Sequence, residues 1–266
     1  MHMNNHASWF LVWKQGMALG AFLALAGYLW AVWAANRKHN KWPLYRSLFW
    51  MAGILCAAAA VTGPLAEMAH TDFAVHMLGH LLLGMLAPLL LVLSAPMTLL
   101  MRALDVKNAR RLSAFLKGRY VRVIGDPFVA AVMNIGGLWL LYTTSLYEMM
   151  HHHPGLHALV HIHVFFAGYL FSAAMIYIDP VPHRRPFLYR GIIFVLALAG
   201  HGILSKYIYA NPPDGVDPVQ AETGAMLMYY GGDAVDLGLI ILFCWQWYYS
   251  ARPRRMVASS QQSGLM

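Results

Sequence analysis

The chain has 266 residues, 59% of them hydrophobic and only 11% charged, with a formal net charge of +8. A soluble domain carries about 25% charged residues, so this composition excludes an ordinary water-soluble fold. The basic excess fits a membrane protein with basic loops and does not point to a nucleic-acid partner.

The apolar residues fall into seven blocks, each holding the ~20 residues that cross a hydrocarbon core. Backbone groups in lipid must be satisfied within their own segment, so the blocks are expected to be helices. The predicted fold is all-α: a polytopic membrane protein of seven transmembrane helices over residues 9–250, between a tail at 1–8 and a polar tail at 251–266.

Span 1 covers Trp9–Ala35, too long for a signal peptide and without a basic leader. Its Gly16-x-x-x-Gly20 is a weak helix-contact motif. The preceding Met1-His2-Met3-Asn4-Asn5-His6 has the composition of a Cu(I) capture arm. Span 2 covers Leu44–Ala66. Span 3 covers Phe73–Leu100 with Pro88 and Pro96 inside it, and carries His76 and His80. Four residues apart, these two share a helical face, His80 lying roughly 10–12 Å from the helix start. The stretch Lys107–Arg122 is basic enough to meet anionic headgroups, and serves equally as a topology determinant.

Span 4 covers Pro127–Tyr147, followed by the loop His151-His152-His153. Span 5 covers Gly155–Ile178 and repeats the spacing with His157 and His161. Span 6 covers Leu188–Ala210, with His201 roughly 13 Å from its end. An acidic, turn-rich loop leads to span 7, Gly224–Ser250, which places Asp233 and Asp236 roughly 14–18 Å in. Cys56 and Cys244 fall within spans and support no disulfide framework.

Seventeen of the 19 lysines and arginines lie in alternate loops and the C-terminal tail, leaving only Lys14 and Lys206. The positive-inside rule then predicts an outer N-terminus and a cytoplasmic C-terminus. Twelve of the 14 histidines fall in the outer half.

Ionisable groups in spans usually face the bundle interior or a water-filled cavity. His76, His80, His157, His161, His201 and Asp233 are the candidate metal ligands: four helices carry them to a similar depth, and neutral imidazole suits copper, zinc and iron. Outer-half methionines, Met77, Met85 and Met228 among them, add thioethers, which favour Cu(I). Each group also has a plain use, as a hydrogen-bond donor to a carbonyl or tyrosine, as apolar packing, or, for Asp233, Asp236 and Lys206, as a polar pair.

His76-Met77-Leu78-Gly79-His80 and the following Leu81–Pro96, together with Asp126-Pro127, His157-Ala-Leu-Val-His161 and Gln220-Ala-Glu-Thr-Gly224, resemble the CtaG-type cytochrome c oxidase assembly proteins over about Phe73–Tyr249. The resemblance implies a polytopic protein of the bacterial inner membrane that helps build a haem–copper oxidase. His76, His80, His157 and His161 fall on the family's recurring histidines. Leu81 stands where relatives carry Met, and Tyr142-Thr143-Thr144 where they carry His-x-Pro.

The expected function is an assembly factor that holds Cu(I) and exchanges it with a haem–copper oxidase subunit or a periplasmic copper donor. No catalytic nucleophile, phosphate loop or His-Glu-x-x-His motif points to an enzyme. A haem-binding electron carrier, a copper or proton transporter and a metal-free scaffold are the alternatives; a homodimer fits any of them.

Overall fold

The computed structural model describes the backbone of residues 3–252 and the side chains of residues 15–252. The side chains of the His2–His6 arm and the tail beyond residue 252 lie outside the described residues. The described chain is helical, without strands: α1 (Met3–Lys38), α2 (Leu44–Val61), α3 (Gly63–Met68), α4 (Phe73–Leu81), α5 (Ala87–Leu93), α6 (Pro96–Ala103), α7 (Val106–Leu116), α8 (Arg119–Ile124), α9 (Pro127–Ala131), α10 (Gly137–Thr143), α11 (Leu146–His152), α12 (Pro154–Met175), α13 (Phe187–Ala210) and α14 (Pro218–Ala251).

Among the described residues six helices are long and apolar enough to cross a membrane, or seven if the α9–α11 segment counts as one span. That segment bends by 79° between Thr143 and Leu146. Thr143 and Thr144 turn their hydroxyls back to the carbonyls of Trp139 and Leu140, satisfying the acceptors that the break would otherwise strand. The expected span to Tyr147 therefore stops short, and α11 leaves at a steep angle.

Span 3 is also shorter than expected. It ends at Leu93, because Ala95 takes a left-handed conformation (φ 52°) and Pro96 opens a new helix. The donors at the start of α6 go to Asp179, which accepts from Met97 N–H, Thr98 N–H and the Thr98 hydroxyl. The last span starts earlier than expected, since Asp217 caps α14 by accepting from Val219 and Gln220 N–H and Pro218 sits in the first turn.

The α4–α5 span is the centre of the bundle, with 61% of its window buried against 17–39% in the other continuous spans. It packs on α14, α12 and α2, while α13 packs on α14 and α1 on α2 and α6. A π-helical turn, Leu82–Leu86, joins α4 to α5, and a second, Val132–Gly136, joins α9 to α10. Each inserts one residue into the helical repeat and resets the face presented afterwards. At the first turn the chains nearly touch: a Cβ on Gly168 of α12 would strike the Gly84 carbonyl. At the second, His163 Nε2–H donates to the Met133 carbonyl at 3.0 Å, which marks His163 as a structural histidine.

The loops gather at two ends. Lys38 donates to Ala103 O, and Arg185 binds Asp126; this is the basic end. Arg190, counted among the loop charges in the sequence, is instead 1% exposed in α13, donates to Met175 O and lies between the Tyr177 and Phe187 rings. The histidines gather at the other end.

Candidate functional site

The histidine end is built from helix starts. Asp72 caps α4 by accepting from Ala74 and Val75 N–H, and Phe73 N–H reaches Gln220 Oε1 of α14 at 3.2 Å. This ties two helix N-termini at one level and fixes His76 one turn in and His80 two turns in. Pro154 starts α12 and sets His157 and His161 on the facing helix.

Three polar spaces follow one another from this end inward. The first is an open mouth of about 350 Å³ lined by His70, Asp72, Glu148, His151, His152, Asp214 and Asp217 among others. Its carboxylates give a cation-attracting rim. The second is a chamber of about 20 Å³ lined by His70, His76, His151, His157 and His161 with the small side chains Ala60, Val61, Ala66 and Ala69. His70 and His151 line both spaces, so the mouth and the chamber share a wall. The third is a cavity of about 30 Å³ whose wall includes His80, Met85, Asn134, His201 and Asp236.

In the chamber the imidazoles lie close. Ring centroids are 4.2 Å apart for His157–His161, 5.3 Å for His70–His157, 6.1 Å for His70–His151 and 6.4 Å for His76–His151. His161 Nδ1 lies 2.9 Å from the His157 carbonyl, and His151 Nδ1 2.9 Å from the Tyr147 carbonyl. A carbonyl only accepts, so in both rings Nδ1 carries the proton and Nε2 keeps its lone pair, the tautomer of a metal ligand. Among the described residues, however, no group of three or more His, Cys, Asp or Glu side chains is arranged to hold a metal ion. Two of the chamber contacts are stacked rings, and convergence on one ion requires ring rotation.

The expected ligands thus separate. His76, His157 and His161 share the chamber; His80 and His201 share the inner cavity, both buried. Asp233 is exposed on α14, whereas Asp236 is buried and lines the inner cavity. From Pro218, six residues before Gly224, these carboxylates lie roughly 22 and 27 Å along the helix axis. Lys206 is exposed and lies over the Tyr229 ring, and it does not line the inner cavity. Of the methionines, Met77, Met150 and Met228 are fully buried in the apolar core, and Met85 alone of those singled out lines the inner cavity.

Sequence reasoning did not single out His70, and noted Tyr142 only as a departure from the family pattern. His70, just before the Asp72 cap, meets His151 from the last turn of α11 and His157 from the first turn of α12. Tyr142 is buried, with its hydroxyl 3.2 Å from His76 Nε2 and its ring 6.4 Å from His80. It thereby meets one histidine of the chamber and one of the inner cavity.

A sequence model of the cytochrome c oxidase caa3 assembly factor family (Caa3_CtaG) matches residues 26–250. The chain is 33% identical over 197 residues to an uncharacterized protein of Mycobacterium bovis and to one of Mycobacterium tuberculosis, and 28% identical over 202 residues to one of Mycobacterium leprae. These alignments cover 70–72% of this chain but only 30–31% of the mycobacterial proteins, so the chain spans about a third of the length of the curated relatives it matches. No solved structure matches. The chain belongs to the cytochrome c oxidase caa3 assembly factor family.

Proposed function

We propose that this member of the caa3 assembly factor family handles Cu(I) for a haem–copper oxidase, with the histidine chamber as the loading site. The observation that carries the reading is an acidic mouth adjoining a chamber lined by five imidazoles, with His70 and His151 in the wall of both. The mouth concentrates cations. Neutral imidazoles bind Cu(I) without losing a proton and release it to a better-shaped site. Centroid separations of 5.3–6.4 Å among His70, His76, His151 and His157 fall in the ~5–6.5 Å expected of two rings sharing one ion through metal–nitrogen bonds of ~2.0–2.1 Å. Assembly of the site requires the rings to rotate out of their stacked arrangement.

In this reading the protein is a multi-pass protein of a bacterial inner membrane, with seven spans, the histidine end and N-terminus outside, and the C-terminus in the cytoplasm. It performs no catalysis. Its partners are an oxidase subunit docked alongside and a periplasmic copper donor, and Asp233, exposed at mid-helix, has no part in the chamber. Cavities of about 20 and 30 Å³ suit an ion and not a macrocycle, which favours copper over haem.

The deciding experiment measures the copper-to-haem ratio of the oxidase assembled with wild type or with His157→Ala/His161→Ala, beside Cu(I) bound to the purified factor. The reading expects both to fall in the variant. A metal-free scaffold is the second reading, favoured by the lack, among the described residues, of a preformed group of three ligands. It predicts no Cu(I) on the wild-type factor and normal oxidase copper with the variant.

A further inference from the structure

The inner cavity carries an observation that the chamber does not. His80 Nε2 and His201 Nε2 are both buried and have no hydrogen-bond partner. The rings are 7% and 4% exposed, and both line the same cavity of about 30 Å³. A buried ring nitrogen without a partner is unfavourable, and a fold seldom leaves two of them against one space. Their centroids are 6.4 Å apart with the ring planes at 25°. Two imidazoles on opposite sides of one ion, with metal–nitrogen bonds of ~2.0–2.1 Å, have centroids ~6–6.5 Å apart.

We infer that His80 and His201 form a second, deeper Cu(I) site, in which one ion is held between two imidazole nitrogens. The inference rests on the copper reading of the family's function and adds a station that the chamber alone does not provide. Its ligand set is soft and neutral, with the Met85 thioether on the same wall, and Asp236 is the carboxylate on that wall to balance one positive charge. Zinc, which wants four ligands, is poorly served by two imidazoles.

The fold is arranged around the pair. His201 packs against Gly232, where a Cβ would collide with the ring. His80 is followed directly by the π-helical turn, which carries Gly84 against Val164 and sets Met85 on the cavity wall. Between this cavity and the chamber stand His76 and Tyr142, with the Tyr142 ring edge-on to both His76 and His80. An ion moving from the chamber to the inner pair passes this tyrosine.

The test uses the full chain in detergent, loaded with Cu(I) anaerobically and dialysed against a Cu(I) chelator. Metal content and copper X-ray absorption are read together. In a His157→Ala/His161→Ala background one equivalent is expected to remain, in a low-coordinate imidazole environment, and adding His201→Phe is expected to remove it. His80→Gln, which keeps a polar side chain of similar length, serves the same purpose should the phenylalanine variant fail to fold.

If wild type retains copper but the chamber variant retains none, the inner site is overturned and the chamber reading stands. Retention of one equivalent after both His201→Phe and His80→Gln likewise overturns it, as does an absorption spectrum without imidazole scattering. A wild type that retains no copper overturns the copper reading and this inference with it; water then satisfies the two nitrogens.

Discussion

The Tyr142 hydroxyl lies 3.2 Å from Nε2 of His76, across the contact between α10 and α4, while the same ring meets His80 edge-on. One buried tyrosine therefore touches the histidines of both polar spaces. Replacing it with phenylalanine removes one hydrogen bond and preserves the wall. Tyr142→Phe is expected to cost about 0.5–1.5 kcal/mol of stability and to leave Cu(I) stoichiometry unchanged while altering the rate at which copper reaches the inner pair. Stopped-flow chelator transfer checks the rate, and an unaltered rate would show that the tyrosine is only packing.

Gly168 and Gly84 set the distance between α12 and the π-helical turn that follows His80. The obstacle to a Cβ at Gly168 is backbone, which cannot swing away. Gly168→Ala is expected to destabilise by about 1–3 kcal/mol through overpacking. Gly202→Ala, whose added Cβ would meet only the Tyr229 ring at 3.6 Å, is expected to be close to neutral. Thermal melts in one detergent compare the two, and equal melting temperatures would refute the close approach.

Asp233 and Asp236 sit three residues apart yet face different surroundings, one exposed and one on the wall of the inner cavity. Asp233→Asn is expected to leave the copper content of the purified factor unchanged. Asp236→Asn is expected to weaken retention of the inner equivalent by about tenfold, the loss of ~1.4 kcal/mol of charge balance. Chelator titration of both variants measures this; equal retention in the two would remove Asp236 from the site.

At the basic end, partial burial tends to raise the Asp126 carboxyl pKa. Hydrogen bonds from Arg185, Phe128 N–H and Tyr189 outweigh this and hold it below the usual carboxylate range. The folded value is the lower one. Its stabilisation is therefore present above the unfolded value of ~3.9 and disappears as the pH falls through the folded value. The Arg185 side chain is 52% exposed, so solvent keeps the effect small. The melting temperature of wild type should fall more steeply than that of Asp126→Asn as the pH drops from about 5 to about 2; parallel slopes would mean that the pair contributes nothing.

Much of this was legible in the residues. The apolar blocks gave helices, because in lipid only a closed helical backbone satisfies its own polar groups. The i, i+4 histidines gave two one-sided pairs, because 3.6 residues per turn leave no other arrangement. The Asp217-Pro218 start of α14 is readable as a cap and first turn, six residues before the expected start at Gly224. The breaks after Leu93 and Thr143 were harder to read. Ala95 in a left-handed conformation and two threonines returning to carbonyls leave no periodic trace.

By itself the sequence determined a helical membrane protein, the family to which it belongs, and the faces on which its histidines stand. The helices and the histidine faces follow from composition and local repeat, which are properties of short stretches of chain; the family follows from the match of residues 26–250 to its sequence model. Only the tertiary structure decided which histidines meet. His80 was paired by spacing with His76, but its ring partner is His201, 121 residues away, and Asp236 lines that cavity while Asp233 does not. The reason is that partnership across helices depends on each helix's rotation, depth and start. Those are set by π-helical turns, caps and glycine contacts between segments distant in the chain, none of which has a period to read.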